Sequence, residues 1–411
     1  MRIMILGDRI WGTSAYSKVV WHTANLLQKM GHTVAHIPMG RSMTGGMMTY
    51  HGTLIYPSGD DPWGEDVALK HYLGFRADML VVIKDVWVLN SIPRLCLNFT
   101  PMVPVDHSPV SPSITSRLET PFRTITISRF GQRELAQKQI PSTYIPHGVQ
   151  TDLYKPLGKR AECRKLWMMS QDDFIVGIVS LNRARKNIPR MLRVYKRFLE
   201  LNPDVKTHCF LWTDVRGAGL SGISEDDVGM GVSDVSVNLL PEIMQLGLGE
   251  KVMWPEERAV REGVPEWQGD NYESGWDMIK MFNCFDVLLG TTGGEGFFMP
   301  GLEAQACGCP IVVTDYSAAP EILGAGYTVG WDDYVITNSP GTRYALVDID
   351  KGAEALAKVM NSDRERMARR ASAFAERFSW DRIAEQYWKP FLEDCESELR
   401  PLVTSKGLSH W

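Results

Sequence analysis

Two carboxylates with seven residues between them, Glu295 and Glu303, bracket a glycine-rich turn and the expected start of a helix. A strand is expected over residues 286–289, a turn over 291–296, and Pro300 sits where a first helical turn accepts proline. Unpaired N–H groups of such a turn, with the positive end of the helix dipole, form an anion pocket suited to a diphosphate. Carboxylates beside a diphosphate are unfavourable unless each accepts hydrogen bonds from hydroxyl groups. The pairing therefore points to a nucleotide sugar rather than a bare nucleotide. A second group lies upstream, where an apolar strand over 174–179 runs into Asn182-Arg183-Ala184-Arg185-Lys186-Asn187 and then a helix. Cations just after a strand suit the negative charge that develops on a leaving diphosphate.

The run Glu295-Gly296-Phe297 through Pro300, with Glu303-Ala304, Ala306 and residues 308–312, resembles the E-x7-E motif of retaining glycosyltransferases of family four (glycosyl transferases group 1). That resemblance implies a GT-B fold, an α/β architecture of two Rossmann-like parallel-sheet domains facing across a cleft. It also implies that Glu303 binds the nucleotide ribose and Glu295 the transferred sugar, with the backbone of Phe297, Phe298 and Met299 near the phosphates; Gly296 is a further donor-binding candidate. Arg183 and Lys186 match the family's Arg–Lys pair. Their spacing is shorter than in many members, so Arg185 is the alternative to Arg183. Where most members have glycine this chain has Phe298, which puts close backbone approach at that spot in question. Asp106-His107 follow an expected strand over 102–105, and family members often place a histidine or an acid there, near the reacting face of the sugar; His107 is the catalytic candidate.

The activity implied is metal-independent transfer of a hexose from a nucleotide-diphosphate sugar to an acceptor hydroxyl, with retention. No cofactor beyond the donor is expected, and UDP- or GDP-sugars stand ahead of ADP-sugars. The departing phosphate oxygen can take the acceptor's proton, so no strong protein base is required. A glycan or lipid headgroup is the leading acceptor. Alternatives are a modified base in DNA or another nucleic acid, or a non-catalytic protein that keeps the nucleotide-sugar pocket. A phosphorylase or a nucleotide-sugar epimerase is the nearest enzymatic rival.

These residues need a scaffold, and strand and helix patterns alternate from the first residue. Apolar strands are expected over 3–6, 32–37, 79–83, 102–105, 124–127 and 144–145, with helices over 14–29, 65–72 and 129–138. A second series follows, with strands over 174–179, 207–212, 286–289, 311–313 and 327–329. The boundary falls near 148–157, giving an N-terminal acceptor-side domain over 1–150 and a nucleotide-sugar-binding domain over 157–379. An amphipathic helix over 380–399, carrying Trp380, Tyr387, Trp388 and Phe391, is expected to pack back on the first domain. Gly12 and Thr13, in the loop between the first strand and first helix, are donor-binding candidates because ligands meet open α/β sheets at such loops. The loop over 41–51, with Met43, Met47 and Met48, reads either as a mobile acceptor-binding loop or as a flexible surface segment.

Other patterns carry less. Gly217-Ala218-Gly219-Leu220-Ser221-Gly222 matches a dinucleotide fingerprint, but acidic residues follow it instead of an apolar helix, so it reads as loop. Asp60-Asp61 and Asp226-Asp227 lie in turn-like stretches, Cys307 and Cys309 lack further ligands nearby, and no metal site is expected. With 411 residues, 44% hydrophobic and 23% charged, the chain has material for two cores. The formal charge of −5 divides unevenly: residues 1–150 hold 14 Lys+Arg against 10 Asp+Glu, and the remainder carries −9. That mild basicity, with Trp11, Tyr50, Trp63 and Trp87, keeps a nucleic-acid acceptor in view, although no dense basic patch is present. No run approaches a membrane span. The first residues read as a strand rather than a signal peptide, which makes the Asn98-Phe99-Thr100 sequon incidental. Seven scattered cysteines fit reduced thiols in a soluble cytoplasmic protein.

Overall fold

The computed structural model describes residues 1–95, 97–217, 236–255, 278–337 and 342–399. Cys96, the segment 218–222, the pair Asp226-Asp227 and residues 338–341 lie outside the described residues. The chain divides into two units. One comprises 1–104, 112–147 and the segment from Trp380 onward; the other comprises 105–111 and 148–379.

In the first unit, β1 (Arg2–Gly7), β2 (Thr33–Pro38), β3 (Met48–Tyr50), β4 (Thr53–Ile55), β5 (Met79–Ile83), β6 (Phe99–Val103), β7 (Ile125–Thr126) and β8 (Thr143–Tyr144) form one sheet. Its order is β3-β4-β2-β1-β5-β6-β7-β8. All pairings are parallel except the β3–β4 hairpin. Ile3–Leu6 and Met79–Val82 are wholly buried, as expected of central parallel strands covered on both faces. Helix α1 (Ala15–Lys29) begins at Ser14, whose hydroxyl accepts the Ser17 N–H, and Gly31 after its end is left-handed at φ 87°. Helices α2 (Glu65–Phe75) and α3 (Arg129–Gln137) complete the crossovers that matter here.

Residues 380–399 do not form one regular helix. Two α-helical pieces, Trp380–Ile383 and Lys389–Glu398, flank a π-helical stretch, Ala384–Trp388. Pro390 supplies the physical reason, since it has no N–H and its ring crowds the carbonyl four residues earlier. The segment belongs to the first unit: Trp380 stacks on His22 with ring centroids 4.7 Å apart, and Glu398 pairs with Arg123 at 2.8 Å.

The second unit holds a fully parallel six-stranded sheet. Its strands are β9 (Phe174–Val179), β10 (Thr207–Trp212), β11 (Val252–Met253), β12 (Val287–Gly290), β13 (Ile311–Thr314) and β14 (Gly326–Val329), in the order β11-β10-β9-β12-β13-β14. An antiparallel hairpin, β15 (Trp331–Thr337) with β16 (Thr342–Val347), follows. Helix α4 (Ile188–Leu201) buries Met191, Leu192, Tyr195 and Phe198 in a core shared with Val176, Ile178 and Leu289. Helix α5 (Met299–Ala306) follows β12 and is buried nearly throughout. Asp286, just before β12, accepts from Arg160 and Arg164 at 2.6 Å each and from the Ile175 N–H at 2.8 Å. That clamp ties the start of β12 to β9 and so fixes where the turn after β12 emerges. Among the described residues, no helix is long and apolar enough to cross a membrane.

Candidate active site

The turn between β12 and α5 is threaded through close contacts that only glycine permits. A Cβ on Gly293 would stand 2.9 Å from the Tyr344 Cβ and 3.0 Å from the Arg185 carbonyl oxygen. On Gly294 it would stand 2.2 Å from the Asp106 carbonyl oxygen. The Gly293 N–H donates to the Arg185 carbonyl at 2.9 Å, and the Gly293 carbonyl accepts from the Ala345 N–H at 2.8 Å. These glycines serve backbone-to-backbone approach within the second unit, and they bring together the cationic turn, the 105–111 strip and β16.

Glu295 leaves this turn with 5% of its surface exposed. Its N–H donates to the Ser317 hydroxyl at 2.8 Å, and its carbonyl accepts from the Ala318 N–H at 3.2 Å. Its carboxylate receives the Lys186 ammonium on both oxygens, at 2.6 and 2.7 Å. Burial, and the neighbouring Arg185 charge, push the Lys186 ammonium below its ordinary pKa, against the pull of Glu295. Arg185 approaches Asp106 at 3.7 Å. Burial of Asp106 opposes its charged form, but the His107 hydrogen bond and the Arg185 and Lys186 charges hold its pKa down to about 2. Arg183 stands just before the 3-10 turn Ala184–Lys186, and its carbonyl accepts the Lys186 N–H at 2.9 Å. Arg185 thus reaches the 105–111 strip through Asp106.

His107 lies in the same strip, with both ring nitrogens engaged. Its Nδ1 meets the Asp106 Oδ1 at 2.7 Å, and its Nε2 accepts the Ser111 N–H at 3.2 Å. That acceptor role assigns the proton to Nδ1. The ring is 4% exposed and lies edge-on to Tyr344, with centroids 6.5 Å apart. Both ring nitrogens brace the 105–111 strip, and Asp106 is the member of the pair that faces Arg185. Tyr316 secures the strip further: its hydroxyl accepts the Ser108 N–H at 3.0 Å and donates to the Arg343 carbonyl at 2.8 Å. Sequence reasoning named Asp106 beside His107 but chose the histidine, and it gave Ser317, Tyr316 and Tyr344 no role. Asp106 was within reach, as an acid at the end of an expected strand; the others act through contacts that no spacing reveals.

Phe298 retains the backbone that a glycine would have, at φ 75° and ψ 60°, immediately before α5. Its ring is buried, and the reason lies in two other glycines. A Cβ on Gly290 would stand 2.2 Å from the ring, and one on Gly301 would stand 2.3 Å from it. The side chain thus occupies space left by Gly290 and Gly301 within the core. Among the described residues, the Phe298 and Met299 N–H groups have no acceptor, and Pro300 contributes none. Those two donors lie at the start of an eight-residue helix, where the sequence led us to expect an anion-accepting end. Phe297 and Met299 are buried beside it, Gly296 is partly exposed, and Glu303 is buried on α5.

Gly12 and Thr13 belong to the first unit, between β1 and α1. The Gly12 N–H donates to the Arg9 carbonyl at 2.9 Å, and a Cβ there would stand 2.3 Å from the Ser17 hydroxyl. Thr13 lines a cavity of about 440 Å³ together with Asp8, Ser14, Ser42, Trp63 and Lys84. Lys84 pairs with Asp8 at 2.8 Å, and the Ser14 hydroxyl donates to Asp8 at 2.7 Å. This cavity lies beyond the carboxyl ends of β1, β2 and β5, where open α/β sheets take ligands.

No protein-family model matches the chain. Over 243 residues it is 24% identical to a D-inositol 3-phosphate glycosyltransferase from Actinosynnema mirum, covering 59% of this chain and 49% of that protein. Over 236 residues it is 24% identical to a lipopolysaccharide core biosynthesis mannosyltransferase from Rhizobium meliloti, covering 57% and 55%. The matches thus span about half the length of these curated relatives. Among solved structures, Alr3699/HepE from Anabaena, crystallised with UDP and glucose, superposes with a TM-score of 0.64 at 16% identity, covering 97% of this chain and 100% of that one. By fold the chain is a GT-B protein, and its relatives in sequence are glycosyltransferases.

Proposed function

We propose that this protein is a retaining glycosyltransferase that moves a hexose from a nucleotide-diphosphate sugar to a hydroxyl of a glycan or lipid headgroup. The observation that carries the reading is the second unit's convergence of Lys186, Glu295 and the open N–H groups of Phe298 and Met299. The diphosphate is received by those N–H groups and by the Lys186 and Arg185 cations. Glu295 accepts hydrogen bonds from sugar hydroxyls, and Glu303 holds the ribose. As the bond from the anomeric carbon to the phosphate oxygen breaks, the acceptor oxygen bonds to the same face of that carbon. The acceptor's proton passes to the departing phosphate oxygen, whose charge Lys186, Arg185 and Arg183 stabilise. These cations supply the positive charge that the leaving group requires, and the reading includes independence of metal ions.

UDP- or GDP-sugars are the proposed donors, supported by the UDP and glucose bound in the Anabaena neighbour and by the mannosyltransferase among the relatives. The lipopolysaccharide and inositol phosphate named for the relatives support a glycan or lipid-headgroup acceptor, held by the first unit. A cytoplasmic setting is proposed, supported by six free, buried cysteines among the described residues. The test is incubation of the full chain with UDP-glucose and with GDP-mannose, without acceptor and with EDTA, followed by proton NMR. Slow release of the α-anomer as the first product is expected, and abolished by Lys186→Ala or Glu303→Ala. First release of the β-anomer, or release unaffected by either substitution, sinks the proposal.

A further inference from the structure

The strongest unexplained geometry is the direct pairing of Lys186 with Glu295. Both groups are needed elsewhere when a nucleotide sugar arrives, the cation by the phosphates and the carboxylate by the sugar. Yet both carboxylate oxygens are occupied by one ammonium, and the two side chains are only 13% and 7% exposed. Among the described residues Lys186 is the sole partner of that carboxylate, because Ser317 and Ala318 engage only the Glu295 backbone. A phosphate that draws Lys186 away leaves a buried carboxylate with no partner, beside an incoming anion. Breaking a buried pair from one side in this way is strongly unfavourable.

We propose that the Lys186–Glu295 pair is an exchange latch that selects the intact nucleotide sugar over the free nucleoside diphosphate. This inference rests on the proposed function and assigns a specificity device to that site. A nucleoside diphosphate offers Lys186 a phosphate but offers Glu295 nothing. A nucleotide sugar offers both, since its hydroxyls donate to the carboxylate as the ammonium departs. The latch also acts after transfer: once the sugar has left, Glu295 competes with the product diphosphate for Lys186 and favours product release. Arg185 and Asp106 set the background. Arg185 repels Lys186 and weakens its hold on the proton, whereas Asp106 attracts it.

Titration calorimetry of the full chain with UDP, UDP-glucose, GDP and GDP-mannose tests the latch, for wild type and Glu295→Gln. The glutamine variant is expected to bind the matching nucleoside diphosphate at least about tenfold more tightly than wild type. Its preference for the nucleotide sugar should shrink or vanish. Simple relief of charge repulsion would tighten binding too, so the same substitution is made in a Lys186→Met background. There the latch predicts less than about a twofold effect, whereas plain repulsion predicts that the gain persists. Unchanged or weaker diphosphate binding by Glu295→Gln overturns the latch, and so does a gain that survives in Lys186→Met. If Lys186→Met does not fold, the comparison of ligands in Glu295→Gln decides: the latch predicts a gain for the diphosphate well above any gain for the nucleotide sugar, and an equal gain for both overturns it. Failure of the wild type to bind any of the four ligands overturns the functional reading itself, which separates the two outcomes.

Discussion

At the scale of single residues, the site depends on side chains whose surroundings invert their usual preferences. Phe298 holds a left-handed backbone, which costs an ordinary residue about 1 to 2 kcal/mol. Its ring repays that strain by filling the space beside Gly290 and Gly301. Phe298→Ala keeps the strain and empties the space, for an expected loss of about 3 to 5 kcal/mol. Phe298→Gly empties the same space but relaxes the backbone, so it should be less destabilising than alanine by about 1 kcal/mol. Urea unfolding of the two variants checks this, and the usual order, with glycine the worse, would refute it. Lys186 presents a different dependence. Its neutral replacement in Lys186→Ala removes a donor aimed at the leaving group and should lower kcat about 100- to 1000-fold. Steady-state kinetics with the verified donor measures that, and a loss appearing only in KM would assign Lys186 to ground-state binding alone.

Elements decide whether such residues meet, and here the glycine turn after β12 governs. Gly294→Ala would drive a Cβ toward the Asp106 carbonyl, a backbone atom that cannot swing aside. We expect a cost of about 1 to 3 kcal/mol and displacement of the 105–111 strip. By contrast Gly45→Ala, with nothing within 4 Å of its added Cβ, should stay within about 0.5 kcal/mol of wild type. Hydrogen exchange over 105–111 reads the difference, and equal protection in both variants would contradict it. The turn's glycines were visible in the sequence, but their partners were not, because close approach to Arg185, Asp106 and Tyr344 is set by tertiary packing. The buried strands were legible where apolar residues predominate: 79–83, 174–179 and 207–212 coincide with β5, β9 and β10. Reading failed where that signal lapses. Strand β6 starts at Phe99 rather than at 102, because Pro101 sits where β7 offers no pairing; β7 meets only Met102 and Val103. Part of the loop over 41–51 is strand β3, an exposed edge in which Met48 is 43% exposed, and it lacks the alternation that marks a half-buried strand. The β15–β16 hairpin escaped for the same reason, with Trp331, Tyr334, Val335 and Ile336 all exposed.

For the whole molecule, a property that neither motif nor topology announces is that burial lowers the pKa of three histidines in the first unit. His22, His36 and His147 are all in the first unit and are 8%, 0% and 7% exposed. Burial lowers each from 6.5, taking His22 to about 3, His36 to about 4 and His147 to about 3. For His22 the nearby Lys18 and Lys29 add to the effect, whereas for His36 the Ile5 carbonyl opposes it. The sign follows from linkage. The folded form keeps each ring neutral while the unfolded chain takes up a proton below pH 6.5, so the stability these groups contribute is complete above 6.5. It is lost progressively as pH falls, down to about pH 4 for His36 and about pH 3 for the other two. Each ring contributes a slope of about 1.4 kcal/mol per pH unit across its window. Asp106 in the second unit behaves in the opposite range. Its depressed carboxyl gives stability that is complete above pH 3.8 and is lost only as pH falls through about 2. Between pH 6.5 and 4, then, acid should loosen the first unit ahead of the second. Hydrogen exchange at pH 7 and pH 5, corrected for intrinsic rates, should show protection falling by at least about tenfold in β1, β2 and α1. Strands β9 and β12 should change far less. Replacing His22 by Gln should flatten the acid slope of the first unit by about 1.4 kcal/mol per pH unit, and an unchanged slope would remove His22 from the account.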